Sequence, residues 1–231
     1  MKRIINFQNH NNINGKFHNL NIINQLLINL KFSNQSQLKS GGFTILEVLV
    51  ALVIIGILSA IVGPSWFGFV NRQQINKVND EVLAALQTAQ RKAKKTKLPY
   101  SVSLTTDTKN GKKVAQIAIH PNDSEPDQYW EIIGKEVGVG TENIILGSNI
   151  TNKNKSTKTI SYANKYDKTK PQAITFSQIG GLSEAEINDG IKIVVAIPKA
   201  GKSTQASDVK RCVIVQTILG GMRTAKNKEC E

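Results

Sequence analysis

Few side chains in this sequence can do chemistry, and their spacing narrows what that chemistry would be. Two cysteines occur, Cys212 and Cys230. They can pair with each other or with a partner chain, or stay reduced and buried. Two thiols cannot build a multi-cysteine zinc site or a disulfide-dense scaffold. The histidines are His10, His18 and His120. The first two lie in an N-terminal stretch that reads as a removable segment, which leaves His120 as the single imidazole. A multi-histidine metal site is then impossible, and a histidine-based triad has one candidate base. His120 precedes Pro121 in a turn-like stretch and is expected to be solvated. The acidic residues after it, Asp123, Glu125 and Asp127, do not have EF-hand spacing. No phosphate-binding loop, nucleophile elbow or dinucleotide fingerprint is present. No metal, cofactor or small-molecule substrate is expected, and an enzyme is poorly supported. That leaves Glu47, the one carboxylate inside an otherwise apolar run. A charge in such a place is costly and usually partnered.

The elements that must position these residues divide the chain by composition. The 231 residues carry a net charge of +13 and are 40% hydrophobic, enough for a packed core. Residues 1–42 hold ten asparagines, five Lys/Arg and no Asp or Glu. A basic, acid-free N-terminal stretch reads as a targeting or processing segment, and by composition equally as a disordered cytoplasmic tail that stays attached. Between Phe43 and Val70 the only ionisable side chain is Glu47. As a helix this run would measure about 42 Å, enough to cross a bilayer core of about 30 Å. Lys31 and Lys39 precede it, so the positive-inside rule keeps the N-terminus in the cytoplasm and residues 71–231 outside. Pro64 is expected to kink the helix, since it lacks a backbone N–H.

From residue 71 the pattern becomes amphipathic. Ile75, Val78, Val82, Ala85, Leu86, Ala89 and Ala93 recur at three- and four-residue steps. The helix is expected to end near Thr96, before Pro99. Its last turns carry Arg91, Lys92, Lys94, Lys95 and Lys97, which complement the helix dipole. Beyond Tyr100 the period becomes two. Strands are expected at 100–104, 114–119, 130–133, 173–176, 191–197 and 212–219, with turns at Gly180-Gly181 and Gly220-Gly221. Residues 149–170 read as an exposed loop or poor edge strands. The fold class is α+β: a long N-terminal hydrophobic helix, kinked near Pro64, packed on a C-terminal antiparallel β-sheet domain.

The junction reads Lys39-Ser40-Gly41-Gly42-Phe43-Thr44-Ile45-Leu46-Glu47 and then turns apolar. It resembles the class III signal of type IV prepilins and type II secretion pseudopilins. That resemblance implies cleavage after Gly42 by a membrane prepilin peptidase and N-methylation of Phe43. It also implies a hydrophobic helix used first in the inner membrane and later in a filament core, with Glu47 acting in assembly. The chain then divides into a leader (1–42), a membrane or filament-core segment (43–70) and an extracytoplasmic domain (71–231). The leader is longer than is usual in the family. Further on, Gln90 stands where the GspH/FimT group of minor pilins usually has Arg, and 176–182 and 211–223 resemble that group's later elements. Pilins often carry a C-terminal disulfide loop, the role implied for Cys212 and Cys230.

Two function classes follow. One is structural: a minor pilin or pseudopilin that contacts other subunits in a type IV pilus or type II secretion pseudopilus. The other is binding: capture of DNA for uptake, as in some FimT-like proteins. Residues 43–231 carry a net charge of +8. Lys210, Arg211, Arg223, Lys226 and Lys228 cluster near the expected final hairpin and are the candidate phosphate contacts. The Gly-Arg-x-Arg pattern of the DNA-binding members is incomplete here, because the sequence reads Gly220-Gly221-Met222-Arg223.

Overall fold

The computed structural model describes residues 42–109, 111–140, 144–162, 165–186, 190–199 and 201–231. The expectations for the leader up to residue 41, with His10 and His18, lie outside the described residues. Among the described residues, one helix, here α1 (Ile45–Thr96), is followed by nine strands. They are β1 (Tyr100–Lys109), β2 (Lys112–Pro121), β3 (Trp130–Ile132), β4 (Ile145–Asn152) and β5 (Lys155–Ser161). Then come β6 (Ala173–Phe176), β7 (Ile191–Lys199), β8 (Lys202–Val215) and β9 (Met222–Lys226). Short 3-10 turns lie at Pro126–Gln128 and Asn227–Cys230. The chain forms two compact units, one ending at Ile55 and one spanning Gly56–Glu231.

In the first unit, α1 begins as its sequence dictates. Thr44 precedes the helix, and its Oγ1 accepts the Glu47 backbone N–H at 3.2 Å. Thr44-Ile45-Leu46-Glu47 is therefore an N-cap with Glu at the third helical position, the sequence form of a capping box. The carboxylate also sits in the first turn, where the helix dipole favours negative charge. Past Ile55, in residues that belong to the second unit, α1 continues through Gly63 and Pro64. Just after, the Ser65 hydroxyl donates to the Val62 carbonyl at 2.9 Å.

In the second unit, the helical stripe is buried as its period requires. Ile75, Val78, Val82, Leu86, Ala89 and Ala93 have no exposed surface, and Ala85 packs beside them. Full burial of each larger aliphatic side chain contributes about 1.5–3 kcal/mol. The stripe packs with Val102 and Leu104 of β1, Ile174 and Phe176 of β6, and Ile193 and Val213 of β7 and β8. The helix ends at Lys97, whose φ of 60° is a left-handed turn, and Pro99 prevents continuation.

The strands form two antiparallel sheets where one was expected. The first has the order β3-β2-β1-β6 and the second β5-β4-β7-β8-β9. Residues 149–170 also differ from expectation. The segment's beginning belongs to β4, an internal strand with Leu146, Asn149 and Ile150 buried. Asn149 can be interior because its side chain is saturated. Its Nδ2 donates to the Thr157 and Gly190 carbonyls (2.9 and 3.0 Å), and its Oδ1 accepts the Lys192 N–H at 2.8 Å. β5 is the poor edge strand expected, with register shifts against β4. Asn154, in the β4–β5 turn, does similar work. Its Nδ2 donates to the Thr175 and Ser183 carbonyls, and its Oδ1 accepts the Thr175 N–H, at 2.7–2.9 Å. Its φ of 54° is one that Asn tolerates better than most residues.

Candidate processing and assembly site

The residues expected to be processed precede α1 in non-helical backbone and are open to solvent. Phe43 is 79% exposed. No atom lies within 4 Å of where a Gly42 Cβ would stand. Glu47 is exposed on the first helical turn. The segment Ile45–Val62 is long and apolar enough to cross a membrane, and none of it is buried. Leu46, Leu49, Val53, Ile57 and Ile61 are each more than half exposed. Leaving that much apolar surface in water is unfavourable by about 25 cal/mol per Å2, and its exposure fits a segment that is anchored in a membrane or packed among other helices.

Three segments singled out in the sequence, the end of α1 with Gln90, 176–182 and 211–223, meet at one place in the second unit. Gln90 Nε2 donates to the Gly180 carbonyl at 2.7 Å and the Gly220 carbonyl at 3.2 Å. The Leu182 N–H donates to the Ile218 carbonyl at 2.7 Å, stitching the two Gly-Gly turns together. Gln90 therefore works here as a neutral clamp on two backbone carbonyls.

Cys212 and Cys230 form a disulfide, with a Cα–Cα distance of 5.7 Å and a sequence separation of 18. Both are fully buried in a small second core with Val194, Ile214 and Ala225. The bond ties the Asn227–Cys230 turn to β8. Replacing both cysteines with serine is expected to cost about 3 kcal/mol, the loop-closure value for such a separation. Denaturant unfolding with and without reductant checks this; reduction of the unsubstituted protein should give a similar loss.

The five candidate phosphate contacts are not equivalent. Lys210 Nζ lies 2.8 Å from Glu231 Oε1. Arg223 Nη1 lies 2.7 Å from Glu229 Oε2. Arg211 Nε donates to Asn76 Oδ1 on α1 at 2.6 Å. Lys226 and Lys228 are exposed, and among the described residues neither has an ion-pair partner. Three of the five cations are thus already engaged within the chain.

The Lys210–Glu231 contact has a pH signature. The hydrogen bond from Lys210, and then its charge, hold the Glu231 carboxyl below its ordinary pKa. Burial opposes the charged form of Lys210, but the hydrogen bond to Glu231 and the Tyr162 and Glu231 charges outweigh it, and its pKa is raised. The depressed carboxyl contributes stability above its unfolded pKa of about 4.3, lost as pH falls through the lower folded value. The raised ammonium contributes below its unfolded pKa of about 10.4, lost as pH rises through the higher folded value. The Glu231 N–H, bonded to the Lys228 carbonyl at 3.2 Å, is expected to show constant hydrogen-exchange protection from about pH 5 to 9, corrected for intrinsic rate, and to lose it in acid.

His120 corrects an expectation. It lies on β2 and is 4% exposed. Its Nδ1 is 2.9 Å from the Pro121 carbonyl and its Nε2 3.0 Å from Ser103 Oγ. A carbonyl only accepts, so Nδ1 carries the proton there. Both ring nitrogens are occupied inside a sheet, because β2 extends through Pro121 and the turn begins after it. His120 is a structural residue. His120 directly follows Ile119, so it shares the opposite face of β2 with Gln116 and Ala118, both of which are also buried.

Residues 38–63 match the family model of the prokaryotic N-terminal methylation motif. Comparison with curated proteins and with solved structures gave no match. The chain thus carries a type IV prepilin-like N-terminal methylation motif, placed ahead of an α+β pilin-like architecture.

Proposed function

We propose that this protein is a minor pilin or pseudopilin, cleaved after Gly42, N-methylated at Phe43 and assembled into a type IV pilus or type II secretion pseudopilus. The observation that carries the reading is the match at residues 38–63, which takes in the apolar, unburied helical segment Ile45–Val62. In this reading residues 1–42 are the leader and residues 43–70 anchor the precursor in the inner membrane, with residues 71–231 outside. The same helix later enters a filament core among other subunits, and Pro64 lets it bend. The chain is a substrate of the prepilin peptidase and N-methyltransferase. The finer reading, a member of the GspH/FimT group, draws support from segments 176–182 and 211–223, whose Gly-Gly turns meet, while Gln90 departs from that group's usual Arg. DNA capture at the final hairpin is the second reading, and it rests on Lys226 and Lys228, exposed cations of that cluster that are engaged in neither an ion pair nor, as Arg211 is, a side-chain hydrogen bond among the described residues.

The test is intact mass and N-terminal sequencing of protein from sheared surface filaments and from membranes. The expected result is a methylated Phe43 N-terminus in the filament fraction. A chain that keeps residues 1–42 and stays in the membrane would instead describe a single-pass anchored receptor.

A further inference from the structure

Two patches within Gly56–Glu231 are complementary in charge and in apolar character. The first lies on the stitched turns at 177–181 and 216–221. It brings together Ile179, Ile218 and Leu219, which are 76%, 64% and 77% exposed. Clustered apolar side chains at this exposure mark a contact surface when their rim is polar. Here the rim is cationic. The Lys94 side chain lies directly over Gly180, and Arg91 and Lys95 flank it in sequence near the end of α1. Among the described residues none of these three cations has an ion-pair partner.

The second patch surrounds a cleft of about 460 Å3 beside the edge strand β3. Three carboxylates line it, Glu81, Glu131 and Glu136, together with the half-buried Trp130 and Ile132. Lys109 and Lys135 also line it, leaving one net negative charge. Glu81 Oε2 accepts the Gly134 N–H at 2.8 Å. Burial first, and then the nearby Glu136 and Glu131 charges, hold its pKa above the ordinary value despite that bond. Like charges crowded against an apolar wall are relieved by an incoming cation.

We propose that the basic apolar knob of one copy seats in the acidic cleft of a second copy of this chain. Ile218 and Leu219 would cover Trp130 and Ile132, while Lys94 and Lys95 would meet Glu131 and Glu136. Knob and cleft share no residue, so a copy engaged through one keeps the other free. Such a heterologous contact can repeat from copy to copy instead of closing a two-fold dimer. The inference deepens the filament reading above, by naming the surfaces that meet, and rests on it.

The experiment uses the full chain in detergent micelles, with a benzophenone amino acid at Leu219 for photocrosslinking. The expected product is a covalent dimer whose crosslinked peptide contains Trp130–Ile132 of the other copy. Lys94→Glu with Lys95→Glu is expected to lower its yield about tenfold. Mixing that variant with a copy carrying Glu131→Lys and Glu136→Lys is expected to restore it to within about twofold. A misfolded variant would not be rescued by a charge swap in its partner. Crosslinks to another face, or no recovery in the swapped pair, overturn the proposal. The N-terminus of the cell-derived protein is read separately. Methylated Phe43 with crosslinks elsewhere removes the interface and keeps the filament reading. Retained residues 1–42 with knob-to-cleft crosslinks do the reverse.

Discussion

Replacing Glu47 with glutamine is expected to lower incorporation into filaments by about two to three and a half orders of magnitude. Cleavage after Gly42 would leave an amine on Phe43, and methylation keeps its positive charge. In a filament core that amine is surrounded by apolar helices, and the carboxylate four residues on can neutralise it in the same or a neighbouring subunit. Removing one partner of a buried ion pair costs about 3–5 kcal/mol, because the other charge stays buried alone. At about 1.4 kcal/mol per tenfold, that gives the expected loss. The glutamine variant separates this role from the local one. Glu47 is the third residue of α1, capped by Thr44, and glutamine serves at that position of a capping box as glutamate does. If Glu47 only stabilised the start of the helix, Glu47→Gln would assemble normally while Glu47→Val showed a modest defect. The charge-pairing account expects both to fail. The ratio of protein in sheared filaments to protein in membranes is the readout, and normal assembly of Glu47→Gln would sink the pairing.

The second large effect is one of stability. Gly220→Ala is expected to cost about 2–5 kcal/mol. Gly220 has a φ of +78°, and a Cβ there would stand 2.5 Å from the Gly180 carbonyl oxygen and 2.6 Å from Gln90 Nε2. The left-handed backbone costs an alanine about 1–2 kcal/mol. The overlap with a backbone oxygen adds about 1–3 kcal/mol, since neither turn can retreat without breaking their shared hydrogen bonds. Gly111 is the control. Its φ is +75°, yet nothing lies within 4 Å of the Cβ position, so Gly111→Ala should show only the backbone cost of about 1–2 kcal/mol. Equal losses at the two glycines in denaturant unfolding would show that the packed junction adds nothing.

The sequence by itself determined the features that are local or one-dimensional. The methylation motif, the apolar run with its single carboxylate, and the stripe from Ile75 to Ala93 are all legible there. Each depends on which residue types recur along one stretch of chain, and a helix turns that recurrence directly into a lipid-facing surface or a core-facing stripe. The strand at 173–176 and the two Gly-Gly turns were legible for the same reason. The capping role of Thr44 was also written in the sequence, as Thr-x-x-Glu, although only the bond to the Glu47 N–H made it plain.

The tertiary structure decided everything that depends on distant partners. Gln90 meets carbonyls 90 and 130 residues away, so no window of sequence contains both halves of that contact. Asn149 and Asn154 read as loop residues because asparagine is a turn former. They are interior because backbone groups up to 43 residues distant fill their hydrogen-bonding capacity. The division into two sheets, the burial of His120 and the engagement of Lys210 and Arg211 have the same origin. A polar or charged side chain carries its chemistry in the sequence, but its freedom to act is set by which groups the fold brings within about 3 Å of it.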